Sequence, residues 1–282
     1  SLLAATLYGK AAGTSSINWL LTDSRSLAFP DTSIFFALRT QRNDGHRYID
    51  DLYRRGVRAF VVETLPEDYT QSFPDATFLK VDNPLKSLQM LAAAHRKAFD
   101  IPVIGITGSN GKTIVKEWLY QLLSSQFSIT RSPRSYNSQV GVPLSVCLLK
   151  DTTTLGIFEA GISERGEMPA LRHIIQPTLG VMTNIGQAHQ ENFASLEEKC
   201  LEKLALFAES EALVYCADDE VVAHSVAQTF HGKKIAWSKT DANAPIYIKE
   251  CTATQEGTLI AFRTAESEGS FSLPFTDEAS VQ

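Results

Sequence analysis

The sequence predicts an α/β fold with a small N-terminal α/β domain over 1–99 and a doubly wound parallel sheet over 100–282. Three observations support this prediction. The chain has 282 residues, enough for two domains, and its 44% hydrophobic and 21% charged content is that of an ordinary folded protein. Strand-like and helical patterns alternate along most of it. After Ile246 the apolar residues follow a period of two, which predicts an antiparallel side sheet.

The first predicted domain combines short apolar runs with one polar-faced helix. The strand-like runs are 34–38, 58–62 and 77–81, and the helix is 46–55. Asn83 and Pro84 then supply a helix N-cap and a proline at the first helical position, and apolar residues keep helical spacing up to Phe99. The predicted domain boundary therefore lies at 100–102.

The second predicted domain alternates strands and helices. The strands are 103–106, 155–158, 179–182 and 212–215, and the helices are 112–124, 167–175 and 195–208. This βαβ order implies a parallel sheet covered by helices on both faces. Ser195 and Glu198 have the spacing of a capping box, which predicts where the third helix begins.

A glycine-containing loop joins the first of these strands to its helix. Its residues are Gly108, Ser109, Asn110, Gly111, Lys112 and Thr113. Glycines let backbone N–H groups turn toward an anion at a helix N-terminus, Lys112 can reach the outer phosphates of ATP, and Thr113 can ligate Mg²⁺. Ile106 stands where the strict P-loop pattern has its first glycine, so the match is to a shorter variant. The loop predicts a P-loop ATPase-like domain; a glycine-rich turn with a solvated lysine is the alternative.

Two further side chains follow strands of the same predicted sheet. Glu159 comes directly after 155–158, and His189 follows 179–182. The carboxyl edge of a doubly wound sheet is where ligands bind, and a carboxylate there can hold the Mg²⁺ that bridges the phosphates of ATP. A loop histidine alone is more often a surface or hydrogen-bonding residue.

Two lysines lie one turn apart in the predicted helix 195–208. From the helix alone, Lys203 is expected to be a solvated lysine. Lys199 fits that expectation better still, because its spacing allows pairing with Glu198 and Glu202.

The composition of the chain bears on which binding partners and which cell compartment are expected. A formal net charge of -6 and a pI near 5.6 leave no basic stripe for a nucleic-acid backbone. No stretch approaches the ~20 apolar residues that span a bilayer, so no membrane partner is expected. Four widely spaced cysteines without a C-x-x-C pair are typical of reduced thiols, which predicts a cytoplasmic protein.

The segment 107–113 resembles the Thr-Gly-x-Asn-Gly-Lys-Thr loop of the Mur ligases, which build the peptidoglycan precursor. Glu159 resembles their magnesium carboxylate, and Thr183-Asn184 with His189 resembles their second metal segment. Lys203 aligns with the lysine that these enzymes carbamylate, which reverses the expectation of a solvated lysine. The resemblance implies Lys112, His189 and Lys203 as catalytic residues, Thr113, Glu159, His189 and Lys203 as metal ligands, and ATP and Mg²⁺ as cofactors.

Within that family, 137–143 and 159–168 are most similar to the ligase that joins D-alanyl-D-alanine to UDP-N-acetylmuramoyl-tripeptide through an acyl phosphate. The segments 22–25, 35–37 and 44–46 resemble its UDP-binding N-terminal domain. The resemblance therefore implies an N-terminal domain that binds the UDP precursor and a central domain that binds ATP. The implied substrate contacts are Asp23, Ser24, Arg25, Asp44, His46, Asn137 and Ser138.

The segment 114–118 resembles relatives that are fused to a C-terminal alanine racemase. The last residues read as the start of a further helix, and the resemblance implies a C-terminal domain that is absent here, so we expect little turnover from these 282 residues alone. A non-catalytic scaffold for a fused racemase, and the ligase that acts one step earlier, are the alternatives. A folylpolyglutamate synthase is disfavoured by the segment 23–46.

Overall fold

The computed structural model describes residues 6–9, 16–40, 43–186, 192–254 and 257–276. The chain divides into two compact units, Ser1–Ala94 and His95–Gln282. Within the described ranges, no helix has the length and apolar character needed to cross a membrane.

The first unit is built on a five-stranded sheet. Its strands are β1 (Thr6–Gly9), β2 (Trp19–Leu21), β3 (Ser33–Phe36), β4 (Ala59–Val62) and β5 (Thr77–Lys80), and its helices are α1 (Ile49–Arg54), α2 (Tyr69–Ser72) and the start of α3 (Pro84–Arg96). The strand order is β1-β5-β4-β3-β2, with β1 antiparallel and the other pairs parallel. Phe35, Phe60 and Phe78 are buried beside one another and form the centre of its core.

The helix predicted over 46–55 begins as a 3-10 turn, Gly45–Tyr48, before α1. Asp44 causes this start, because its side chain accepts a hydrogen bond from His46 N at 3.0 Å while its own backbone is extended. The predicted N-cap of α3 is present, since Asn83 Oδ1 accepts from Lys86 N at 3.0 Å.

The second unit is built on a nine-stranded sheet. Its strands are β6 (Val103–Thr107), β7 (Ile129–Arg131), β8 (Leu155–Glu159), β9 (Leu179–Met182), β10 (Ala212–Cys216), β11 (Lys233–Ser238), β12 (Ile246–Thr254), β13 (Gly257–Thr264) and β14 (Glu268–Leu273). The order is β14-β13-β12-β11-β10-β9-β6-β8-β7. Every neighbouring pair among β6 to β12 is parallel, whereas β12, β13 and β14 pair in antiparallel fashion and form the side sheet. The predicted fold class is therefore confirmed.

The helices of this unit are α4 (Lys112–Leu123), α5 (Gly141–Val146), α6 (Met168–Ile175), α7 (Leu196–Leu204) and α8 (Glu220–Thr229). Helix α4 packs Val115, Leu119 and Leu123 against buried Ile106 and Ile157. Because β6 lies between β8 and β9, this packing places the start of α4 at the middle of the carboxyl edge of the sheet.

The sequence did not predict α5, α8, β7 or β11. Helix α5 contains Gly141 and Pro143, which have low helix propensity, and it forms because nearly all of its residues are buried. Strand β7 has only three residues, and β11 begins with two exposed lysines. Tertiary pairing, rather than local pattern, sets these elements.

Candidate functional site

The loop between β6 and α4 depends on two glycines. Gly108 has a φ of +144° and Gly111 a φ of +77°. A Cβ on Gly108 would lie 1.9 Å from Thr183 Oγ1, so no other residue fits there. The loop thus approaches the segment after β9 more closely than a side chain would allow.

Thr183 and Asn184 fasten this loop. Asn110 N donates to Asn184 Oδ1 at 3.0 Å, and Thr183 Oγ1 donates to the carbonyl oxygen of Asn110 at 2.6 Å. Ser109 N donates to the carbonyl oxygen of Asn184 at 2.9 Å. The glycine loop after β6 and the Thr183-Asn184 segment after β9 are therefore joined by hydrogen bonds.

Lys112 folds back over the loop. Its Nζ donates to the carbonyl oxygens of Gly108 at 2.8 Å and Ser109 at 3.2 Å. Burial lowers the pKa of Lys112, the carboxylate of Glu159 acts in the opposite direction, and Lys199 lowers it further. A cation held by carbonyl dipoles at a helix start is well placed to meet a phosphate.

Thr113 and Glu159 meet directly. Thr113 Oγ1 donates to Glu159 Oε2 at 3.1 Å, and Asn137 Nδ2 donates to the same oxygen at 3.3 Å. Glu159 is fully buried, and its Oε1 accepts no hydrogen bond. The hydroxyl and carboxylate oxygens form a hard donor set that suits Mg²⁺.

The described residues contain no group of three His, Cys, Asp or Glu side chains that would hold a metal on its own. A magnesium site here would therefore need further oxygen ligands from a nucleotide or water, which is the ordinary way in which Mg²⁺ is bound. His189 lies outside the described residues, and its role as a ligand stays a prediction.

Sequence reasoning missed Lys116. This side chain is fully buried in α4, its Nζ lies 2.9 Å from Glu159 Oε1, and it donates to the carbonyl oxygen of Arg134. Its position was open to prediction, because Lys112 and Lys116 are four residues apart and share a helix face. A face that points Lys112 toward the sheet edge points Lys116 there as well.

Lys203 lies at the same loop. It is 3% exposed, and its Nζ donates to the carbonyl oxygen of Gly108 at 3.2 Å. Burial lowers its pKa to about 7, and the charges of Lys112 and Lys199 act in the same direction. The structure therefore brings Lys203 to the glycine loop, and its role as a carbamylated metal ligand stays a prediction.

The expectation for Lys199 was wrong. Lys199 is 2% exposed and donates to the carbonyl oxygen of Gly186, instead of standing in solvent beside two glutamates. Glu198 pairs with Arg165 at 2.8 Å, and Glu202 Oε1 accepts from Gly166 N at 2.9 Å. Helix α7 turns Lys199 and Lys203 toward the loop and Glu198 and Glu202 toward 165–168, because residues four apart lie on one face.

A cavity of about 350 Å³ opens beside the loop. It is lined by Gly108, Ser109, Lys112, Lys203, Asn137, Ser138, 139–140, 161–163 and Glu167. Asn137 and Ser138 are among the residues predicted to contact substrate. Such a volume is in the range of small-ligand sites. Cationic groups and polar side chains thus face one space.

The predicted substrate residues of the first unit follow the parallel strands β2 and β3. Asp23 Oδ1 accepts from Arg25 N at 2.9 Å, and its Oδ2 pairs with the Arg25 guanidinium at 2.6 Å. This pair is exposed, and Ser24 lies between its members, in a 3-10 turn. Hydrogen bonding by the Arg25 side chain lowers the pKa of Asp23.

Asp44 and His46 form a second local cluster. His46 Nε2 accepts from Glu63 N at 3.1 Å, so the ring proton is on Nδ1, which donates to Asp44 Oδ1 at 2.7 Å. Burial raises the pKa of Asp44, but hydrogen bonds from His46 and Arg39 outweigh it and lower the pKa to about 2. His46 is thus engaged at both ring nitrogens, and direct substrate contact by it stays a prediction.

A parallel sheet with a glycine loop, a lysine and a threonine at the start of the following helix defines a P-loop α/β domain. The chain belongs to the Mur ligase middle domain family, whose model matches residues 106–282.

Three relatives illustrate the match. Over 274 residues the chain is 28% identical to the UDP-N-acetylmuramoyl-tripeptide–D-alanyl-D-alanine ligase of Bacillus subtilis, covering 94% of this chain and 56% of that protein. MurF from Acinetobacter baumannii has a TM-score of 0.88 at 22% identity, over 99% of this chain and 60% of that one. MurF from Thermotoga maritima in complex with ADP has a TM-score of 0.80 at 24% identity, over 95% of this chain and 60% of that one.

These structural likenesses show that the fold is shared. The chain spans less than two thirds of the length of these relatives.

Proposed function

We propose that this chain is the precursor- and ATP-binding part of a cytoplasmic ligase that joins D-alanyl-D-alanine to UDP-N-acetylmuramoyl-tripeptide in peptidoglycan precursor synthesis. The observation that carries the proposal is the convergence of Lys112 and Lys203 on the Gly108 carbonyl beside the cavity. The Thr113–Glu159 pair is joined to that cavity through Asn137, which lines it and donates to Glu159 Oε2. The name of the B. subtilis relative supports the choice of substrates.

The reaction would take place in two steps. The γ-phosphoryl group of ATP passes to the terminal carboxylate of the tripeptide, giving an acyl phosphate and ADP. The amine of D-alanyl-D-alanine then attacks the acyl carbon, the C–O bond to phosphate breaks, and an amide, inorganic phosphate and a proton are released. Catalysis of such transfers consists mainly of positioning and charge neutralisation.

Different residues would bind the phosphates, the metal ion and the acceptor carboxylate. Ser109 N and Asn110 N are bonded to Asn184, so the N–H groups of Gly108 and Gly111 and the Lys112 ammonium would hold the outer phosphates. Thr113 and Glu159 would hold a Mg²⁺ ion. The ion, when bound, would neutralise charge on the β- and γ-phosphates. Asn137 and Ser138 line the same cavity and would orient the carboxylate that accepts the phosphoryl group.

Lys203 would act as a carbamate, with His189 as its companion at a second metal site. Its pKa of about 7 supports this role, because only a neutral amine reacts with CO₂. A carbamate exchanges the positive charge of Lys203 for a negative one next to Lys112 and Lys199, which would relieve the repulsion among three lysines.

Asp23, Ser24, Arg25, Asp44 and His46 would contribute to binding of the UDP precursor in the first unit. They follow the carboxyl ends of parallel strands β2 and β3, the edge where open α/β sheets bind ligands. Fusion to an alanine racemase stays a prediction from 114–118.

Nucleotide titration tests the proposal. We expect this chain to bind ADP in the presence of Mg²⁺, and to bind it at least tenfold more weakly in EDTA, because phosphate charge would then be neutralised by lysines alone. Titration of UDP-N-acetylmuramoyl-tripeptide tests the first unit separately. A chain that binds the precursor but no nucleotide under either condition would contradict the ligase and favour a scaffold.

A further inference from the structure

Lys116 and Glu159 form an ion pair that is sealed from water. Both side chains are 0% exposed, and Lys116 Nζ lies 2.9 Å from Glu159 Oε1. This approach lies outside hydrogen-bond geometry, so the attraction is that of two charges. A buried carboxylate whose countercharge is removed is strongly destabilising. Each member therefore compensates the other.

Other groups fix the Lys116 ammonium independently of Glu159. Its Nζ donates to the carbonyl oxygen of Arg134 and lies 3.2 Å from Glu117 Oε1. Glu117 is itself paired with Arg131, whose Nη2 lies 3.0 Å from Glu117 Oε2. Because Glu117 and Arg131 balance one another, the charge that Lys116 contributes is balanced by Glu159.

The two oxygens of Glu159 consequently differ. Oε2 accepts from Thr113 and Asn137, whereas Oε1 faces the Lys116 ammonium. A cation shared by Thr113 and Glu159 would meet Oε2. Its attraction to the carboxylate would be reduced by a positive charge already present at Oε1.

We propose that Lys116 is a positioning residue and a built-in counterion for the magnesium carboxylate. It orients Glu159 and compensates its charge when no nucleotide is bound, so that Mg²⁺ alone finds no net negative site. Nucleotide phosphates supply the missing negative charge, and Mg²⁺ is therefore retained only together with nucleotide. This inference rests on the proposed function.

Thermal unfolding of three variants tests it without measuring turnover. Lys116→Met removes the counterion, Lys116→Met/Glu159→Gln removes both charges, and Lys97→Met changes an exposed lysine as a control. Unfolding midpoints are measured in EDTA and in MgCl₂ alone, and ADP affinity is measured across Mg²⁺ concentrations.

In EDTA we expect Lys116→Met to unfold roughly 10 °C below the wild type and the double variant to recover most of that loss. MgCl₂ alone should raise the midpoint of Lys116→Met by several degrees and leave the wild type, the double variant and Lys97→Met unchanged. The Mg²⁺ concentration that half-saturates ADP binding should fall roughly tenfold in Lys116→Met.

A Lys116→Met protein that responds to Mg²⁺ as the wild type does would overturn the inference, as would a double variant no more stable than the single one in EDTA. If Lys116→Met does not fold, the double variant decides: a folded protein without a Mg²⁺ response supports the counterion role, and an unfolded one refutes it. A wild type that binds no Mg²⁺-ADP would overturn the proposed function as well, whereas one that binds it normally confines the failure to Lys116.

Discussion

Lys112 and Lys203 donate to the same acceptor, the carbonyl oxygen of Gly108, at 2.8 Å and 3.2 Å. The two lysines come from different helices, α4 and α7, so one loop carbonyl joins both helices at the carboxyl edge of the sheet. Lys199 adds a third positive charge that lowers the pKa of both lysines. Buried like charges repel one another, and a bound anion would remove that repulsion. The folded chain is thus preorganised for a polyanion.

Gly108→Ala is expected to damage both stability and nucleotide binding. The new Cβ would overlap Thr183 Oγ1 at 1.9 Å and would sit on a residue with φ of +144°. Strain of this backbone type costs about 1–3 kcal/mol, and the overlap adds to it. We expect a loss of at least 3 kcal/mol in the free energy of unfolding, measured by urea denaturation, and loss of ADP binding by titration calorimetry.

Gly166→Ala is the matched control, because Gly166 also has positive φ, +78°, but no atom within 4 Å of its new Cβ. It should lose only about 1–2 kcal/mol and keep ADP affinity. Equal losses in the two variants would show that φ alone, and not the approach of Thr183, sets the requirement at Gly108.

Lys112→Met should separate binding from stability. Lys112 is desolvated and held only by carbonyl oxygens among its described hydrogen bonds, so its removal is not expected to destabilise the free protein. A charge-assisted bond to phosphate contributes about 1.5–3 kcal/mol, which predicts roughly 10- to 100-fold weaker ADP binding. Calorimetric titration and thermal unfolding measure the two quantities. An unaltered ADP affinity would remove Lys112 from the phosphate site.

Much of the fold and part of the site follow from local sequence. The order of strands and helices placed Glu159 and the glycine loop at one sheet edge, because residues after neighbouring parallel strands must meet there. The burial of Lys116 and Lys199 did not follow, since a lysine in a helix is normally solvated. A usable signal was present: each lies four residues from a predicted site lysine and so shares its helix face. Strand β11 begins with two exposed lysines and is stabilised by pairing with β10 and β12, which the pattern of its own residues does not record.

Arg96→Met is expected to destabilise the second unit without affecting ligands. The guanidinium is 6% exposed and donates to the carbonyl oxygens of Phe99 at 2.6 Å, Ile175 at 3.0 Å and Ile101 at 3.3 Å. Its loss leaves buried acceptors without donors, at a cost of about 2–4 kcal/mol. Urea denaturation should show this loss, with ADP affinity unchanged. A shift below about 0.5 kcal/mol would mean that water replaces the guanidinium.

Lys203 should make the stability of the unliganded chain rise with pH between about 7 and 10. Its pKa in the folded state is about 7, below the ordinary lysine value of 10.5, so in this window the unfolded chain binds more protons than the folded one. Without CO₂, the unfolding midpoint of the wild type should therefore climb with pH relative to that of Lys203→Met. The comparison is needed because the buried thiols of Cys147 and Cys200, whose pKa values are raised to about 12 and about 11, lower the stability of both proteins at the upper end of this window. With ¹³C-labelled CO₂ supplied at a fixed dissolved concentration, a carbamate resonance should grow as pH rises through 7 and be absent in Lys203→Met.

In the complete enzyme, Lys203→Ala should lose activity that short carboxylic acids partly restore, since a free carboxylate replaces the missing carbamate group. Full activity in Lys203→Ala would remove the carbamate from the mechanism, and a pH slope identical in wild type and Lys203→Met would assign the lowered pKa to another group.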